Sequence, residues 1–144
     1  MGRMVQFRFE WIDPEKRAIR YVAEGSEWNW KDYHTCVRVS LVTLSNHPHL
    51  VDSVIDLRES TRSKMPSGIV AHVRSFGKKH FPVVSVRAIV IGMPAEAMEQ
   101  LAPLCDAQGH LITPDGYIVF VKDDDALERQ LEAWWAADRV EEQS

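Results

Sequence analysis

Cysteine is scarce: Cys36 and Cys105 are the only two, and no C-x-x-C spacing joins them. That excludes a disulfide-stapled secreted scaffold and points to a reducing, cytoplasmic setting, with both thiols idle in helical segments. Long hydrophobic runs are missing too, and nothing approaches the eighteen or so apolar residues of a membrane span. Met1 to Phe9 alternates polar with apolar residues instead of forming the hydrophobic centre of a signal peptide, so a soluble chain is expected. Glycine-rich phosphate loops, a G-x-G-x-x-G turn and a G-x-S-x-G nucleophile elbow are all absent. Without them no cofactor and no enzymatic activity are expected.

What is present is ordinary folding material. The 144 residues are 45% hydrophobic and 26% charged, enough to bury one core without staples. A single domain is expected over residues 1–138, with 139–144 as a frayed C-terminal tail. The net charge of −4 is unevenly spread. Arg58, Arg62, Lys64, Arg74, Lys78, Lys79 and Arg87 face only Glu59 in their window, whereas the segment from Asp123 onward is acidic. The basic window has only Phe76 and Phe81 as aromatics, so nucleic acid is not an expected partner.

Periodicity gives the elements. Val5, Phe7, Phe9 and Trp11 alternate with polar residues as a strand does, Asp13-Pro14-Glu15-Lys16 has turn chemistry, and Ala18 to Ala23 completes a hairpin. Ser26 is the expected cap of a helix whose stripe is Trp30, Tyr33, Val37, Leu41 and Leu44. Leu50 to Leu57 and Val83 to Ile91 are Val/Ile-rich runs suited to strands buried on both faces. Between them Pro66 opens a helix with Ile69, Val73 and Phe76 inward. Gly92-Met93-Pro94 starts a third helix that Pro103 kinks and Gly109 ends, and Thr113-Pro114-Asp115-Gly116 turns the chain. Tyr117 to Val121 is the last strand, and Asp125 with Glu128 has the capping-box form for a final helix carrying Leu127, Leu131, Trp134 and Trp135. The expected fold is α/β in the order ββαβαβαβα, a mostly parallel five-stranded sheet with an antiparallel N-terminal strand.

Chemistry is thinly distributed. His47-Pro48-His49 with Asp52 and Asp56 offers zinc-type ligands, but Pro48 and Asn46 mark a loop in which the two imidazoles share no strand face, so no metal is expected there. Cys36 and His34 are two apart on a helix and point in different directions. Four of the five tryptophans, Trp28, Trp30, Trp134 and Trp135, are mainly core material. The adjacent terminal pair cannot both face inward, so one is expected at a pocket edge or a partner surface, a homodimer being one such surface.

The element order, with Val54-Ile55-Asp56-Leu57 closing one strand and Pro66-Ser67-Gly68-Ile69-Val70 opening the next helix, resembles the STAS domain, the SpoIIAA-like family of anti-sigma-factor antagonists. The likeness runs over about residues 4 to 136. It implies a SpoIIAA-like fold and a non-catalytic regulatory module whose partner is a protein, a regulator or a kinase. Ser67 matches the serine that such a kinase phosphorylates, although Lys64-Met65-Pro66 stands where the family usually has an acidic residue. A phosphate there would add nearly two charges at a helix start. The surface expected to meet the partner joins Ser67 to Arg58, His72, Arg74, Lys78 and Lys79. The alternative is a binder of a small apolar or nucleotide-like ligand in a pocket beside the sheet.

Overall fold

The computed structural model describes residues 6–45, 47–76 and 82–143. Two antiparallel strands come first, β1 (Phe7–Trp11) and β2 (Ala18–Ala23), followed by α1 (Trp30–Leu44), β3 (Val51–Asp56) and α2 (Ile69–Ser75). The chain continues through β4 (Val84–Ile91), α3 (Ala95–Leu101), a 3-10 turn at Ala102–Leu104, β5 (Leu111–Ile112), β6 (Tyr117–Val121) and α4 (Asp124–Gln143). The sheet therefore has six strands, in the order β1-β2-β3-β4-β6-β5, not five. β2, β3, β4 and β6 are parallel, and the edge strands β1 and β5 run antiparallel to their neighbours. The unexpected strand, β5, is only two residues long and forms a hairpin across the Thr113–Gly116 turn, where Thr113 N–H donates to the Gly116 carbonyl at 2.9 Å. Two residues are too few for any alternation to show in sequence.

The parallel strands follow one another in a single direction along the sheet, so the helices between them share one face. That face is a core of Ile19, Tyr21, Ile55, Ala88, Val90 and Ile118 beneath Trp30, Tyr33, Cys36 and Leu44 of α1, Ile69 and Val73 of α2, and Ala97 and Leu101 of α3. α4 follows β6 and covers the other face, laying Leu127, Leu131 and Trp134 on Ala18, Val54, Ile89, Ile91 and Val119. β3 sits between the layers and is buried at every residue, as expected of a strand sealed on both sides.

Helix boundaries show where local chemistry differs from the sequence reading. Asn29, not Ser26, caps α1: its side chain accepts from Asp32 N–H at 2.9 Å and the Asp32 carboxylate accepts from Asn29 N–H at 3.1 Å, a reciprocal capping box. α1 consequently starts three residues later than expected, and its buried stripe is Trp30, Tyr33, Cys36, Ser40 and Leu44, with Val37 and Leu41 only partly covered. Ser40 is tolerated inside because its hydroxyl bonds both the Val37 carbonyl (2.6 Å) and Tyr21 Oη (2.8 Å). The α4 cap is Asp123, whose carboxylate accepts from Ala126 N–H at 2.9 Å, not Asp125, and helix continues through Gln143. Pro103 lies in the 3-10 turn that ends α3 instead of kinking it, Cys105 follows that turn, and Gly109 belongs to the loop beyond it.

α4 is clamped at both ends. Near its start Asp124 pairs with Arg58 at 3.1 Å, and Arg58 grips the buried Asp56 of β3. Toward its end Asp138 pairs with Arg87 of β4 at 2.7 Å, and Arg87 grips the buried Asp52 at the other end of β3. Trp135 donates its indole N–H to the same Asp52 carboxylate at 3.0 Å, while Trp134 packs inward.

Candidate functional site

In an open α/β sheet the carboxyl ends of parallel strands and the loops leaving them form the natural ligand crevice. Here a cleft of about 210 Å³ opens at the ends of β3 and β4, between the loop 57–68 and the start of α3. Its floor is apolar, from Leu57, Met65, Ile69 and Ala97, and its rim carries Ser60, Arg62, Lys64, Ser67, Glu96 and Gln100.

The loop is long, yet it is anchored, and by residues whose role the sequence did not reveal. Trp28 is wholly buried and donates its indole N–H to Ser60 Oγ at 2.6 Å. Arg62 reaches back to the Trp28 carbonyl at 2.6 Å and to the Lys64 carbonyl at 2.9 Å. Trp30 donates to the carbonyls of Pro66 and Ser67 at 3.3 and 3.0 Å. Thr61 N–H bonds the Gly25 carbonyl at 2.8 Å, tying the loop to the end of β2. Read as core aromatics, the two tryptophans gave no hint that their polar edges hold the cleft wall. An indole needs a partner for its N–H when buried, but sequence does not say which.

Ser67 is exposed at the cleft rim. It precedes α2 instead of opening it: Pro66 is outside the helix, and the N-cap is Gly68, held at φ +80 where an L side chain would be strained. His72 lies on the next turn, half-buried, stacked on Trp30 with ring centroids 5.0 Å apart. Arg74 is exposed on α2. Lys78 and Lys79 lie outside the described residues. Arg58 is not part of this surface: it is spent on Asp56 and Asp124, on the α4 side of the sheet. The structure thus brings together Ser67, His72 and the loop, and separates Arg58 from them.

Asp56 shows why that separation is firm. Its carboxylate accepts from Arg58 N–H (2.9 Å), the Arg58 guanidinium (2.8 and 3.1 Å) and Arg20 (2.7 Å). Burial opposes its ionised form, but the bonds from Arg58 and Arg20 outweigh burial and hold the carboxyl below its ordinary value. A depressed value in the folded state means stability that is fully present above the unfolded value, near about pH 4, and is lost as pH falls through the folded one. Wild type is therefore expected to exceed Asp56→Asn in urea midpoint at neutral pH, with the gap closing in strongly acidic buffer. A gap that stayed constant down to acid-induced unfolding would contradict this account.

The cleft lining includes no histidine, cysteine or aspartate, and neither Lys64 nor Glu96 is hydrogen-bonded to a serine among the described residues. Cys36 is buried in the core, and burial pushes its thiol up to about 11, away from the reactive thiolate. Among the described residues no group of three or more His, Cys, Asp or Glu side chains is placed to hold a metal ion. His47 and His49 meet edge to face, their ring centroids 4.5 Å apart. His47 bonds the Lys16 carbonyl at 3.0 Å and stacks on Trp11, and Asp52 is engaged by Arg87. No helix among the described residues is long and apolar enough to cross a membrane. Comparison of the chain with protein-family models, with curated proteins and with solved structures finds no match in any of the three.

Proposed function

We propose that this chain is a non-catalytic protein-interaction module of the STAS-like kind, and that it meets its partner with the cleft at the ends of β3 and β4 and its rim around Ser67. The observation that carries the reading is an exposed serine on an anchored loop, beside a shallow apolar cleft whose lining has no nucleophile–base pair. A volume of about 210 Å³ is below the roughly 300–1,000 Å³ of sites that enclose a small-molecule ligand. It suits one large apolar side chain of a docking protein better than a nucleotide. Anchoring matters for the same reason: a rim already held by Trp28, Trp30 and Arg62 loses little conformational entropy when a partner arrives.

Phosphate on Ser67 would place nearly two negative charges on the rim beside Lys64, enough to alter a partner's contact without disturbing the fold. Ser67→Glu, with one charge, is expected to change partner affinity by about 1–3 kcal/mol and to leave the melting curve unchanged. The measurement is capture from a source-cell lysate by wild type and by Ser67→Glu, followed by calorimetry with the captured protein. Equal capture and equal affinity for Ser67→Glu, and for a Lys64→Glu, Arg74→Glu variant, would remove this face and leave the pocket-ligand reading ahead.

A further inference from the structure

Two imidazoles meet outside the cleft, where α1 packs on α2. His34 Nε2 and His72 Nδ1 are 3.2 Å apart, each from a different helix, with the ring planes tilted by 48°. We propose that this pair is a two-point binding site for a first-row divalent ion of the zinc, nickel or copper class. A tetrahedral ion takes histidine nitrogens at about 2.0–2.1 Å, which sets two of them roughly 3.3 Å apart, close to the spacing found. Either ring nitrogen serves as a ligand, so the Nε2 and Nδ1 combination is chemically ordinary. Two protein ligands leave the remaining positions to water, which makes an exchangeable site and not a closed structural one.

The rings are held ready for this. His72 lies nearly parallel to Trp30, at 11°, and the Trp30 ring is itself fixed by its N–H bonds to the Pro66 and Ser67 carbonyls. On another side, a Cβ at Gly68 would sit 3.3 Å from His72 Cδ2, so the glycine leaves just enough room for the ring. His34 is braced edge-on by Tyr33 at 5.1 Å, and Tyr33 packs on Phe76 of α2 at 4.9 Å. Both residues are half-buried, so solvent reaches part of each. In the metal-free state one ring N–H donates to the other ring's lone pair. Binding requires that proton to move to the distal nitrogen of the same imidazole, so that both lone pairs face the ion. Two neutral rings remain neutral, and no proton is lost.

His47 and His49 are the control: closer in sequence, but edge to face, with His47 Nε2 on the Lys16 carbonyl and His49 Nδ1 on the Leu50 carbonyl. The ion would also link α1 to α2, and α2 begins at the cleft rim, so occupancy would stiffen the wall carrying Ser67.

The test uses tag-free protein and zinc or nickel chloride alone. Calorimetry on wild type is expected to give one ion per chain, with a higher melting temperature in its presence. Both effects are expected to vanish in His34→Gln and in His72→Gln and to survive in His47→Ala, His49→Ala. Nitrogen-detected NMR of wild type covers the case of a variant that fails to fold: metal-induced shifts should fall on His34 Nε2 and His72 Nδ1. No stoichiometric binding, or shifts confined to His47, His49, His80 or His110, would overturn the proposal and leave the pair as a hydrogen bond only.

Discussion

Arg87→Met is expected to destabilise the domain by about 3–5 kcal/mol, the range for removing one partner of a buried ion pair. Arg87 projects from the middle of β4 and spreads its guanidinium over two carboxylates. It meets Asp52 at 2.8 and 3.1 Å and Asp138 at 2.7 and 3.2 Å, while lying over the Trp134 ring at 4.6 Å. Asp52 is 3% exposed. With arginine gone, one indole donor from Trp135 remains for a charge that water barely reaches. The second contribution is architectural: Asp138 ties the C-terminal half of α4 to β4 through Arg87, so loss of that pair should loosen this half of the helix. Asp52→Asn combined with Arg87→Met keeps an acceptor for Trp135 and removes the stranded charge, and should recover part of the loss. Urea unfolding of wild type, both single variants and the double variant gives the coupling directly. A double variant no better than Arg87→Met would show that charge burial is not the cause.

This network also marks the limit of what the sequence disclosed. β3 was legible as a strand because Val51, Val54 and Ile55 are apolar and clustered, yet Asp52 and Asp56 within it carried no sign of their partners. They lie on the α4 side with Val54, and their arginines come from β2, β4 and the loop after β3, at separations of 36, 35 and 2 residues. Periodicity is local, whereas the pairing of a buried carboxylate is fixed by topology. Arg58 illustrates the consequence. Counted by charge alone it belongs with the basic surface around Ser67, but the strand geometry turns it to the opposite face.

The helices show the same division. Ile69, Val73 and Phe76 were read as the buried stripe of α2 and are buried, because their spacing over seven residues admits one solution. In α1 the polar Ser40 and the weakly apolar Cys36 hold the inner positions and Val39 and Val42 face solvent, so hydrophobicity points to a stripe displaced from the real one. What decides is the reciprocal cap at Asn29 and Asp32, which fixes where the helix starts, together with the pull of Trp30 toward Pro66 and Ser67. For the proposed site, Ser67 and His72 could be named from sequence because they stand near the start of a helix recognisable in it. The cleft floor and its anchors were not, since Leu57, Met65 and Ala97 meet only after the β3 and β4 crossovers are folded.

Trp28→Ala is expected to cost about 3–5 kcal/mol, a large part of a total stability of about 5–15. Trp28 has no exposed surface, and its ring meets Phe7 and Trp30 edge to face at 5.4 and 5.3 Å. Each such aromatic pair adds about 0.5–1.5 kcal/mol beyond the area it buries. Alanine removes both pairs, leaves a cavity between β1 and α1, and takes the indole donor from Ser60 Oγ at the root of the cleft loop, leaving it only the longer 3.3 Å bond from Arg62 N–H. The effect should therefore be larger locally than globally. Amide exchange in residues 58–68 is expected to accelerate more than exchange in β3 and β4, because the central strands keep their ladder and both cores. Trp28→Phe separates the contributions: it preserves most of the packing and removes the indole N–H, so the loop should loosen while the denaturant midpoint falls by less than half as much as in Trp28→Ala. If Trp28→Phe left exchange in 58–68 at the wild-type rate, the indole hydrogen bond would not be what holds the cleft, and the weight would pass to Arg62 and its 2.6 Å bond to the Trp28 carbonyl, a contact that Trp28→Ala also spares.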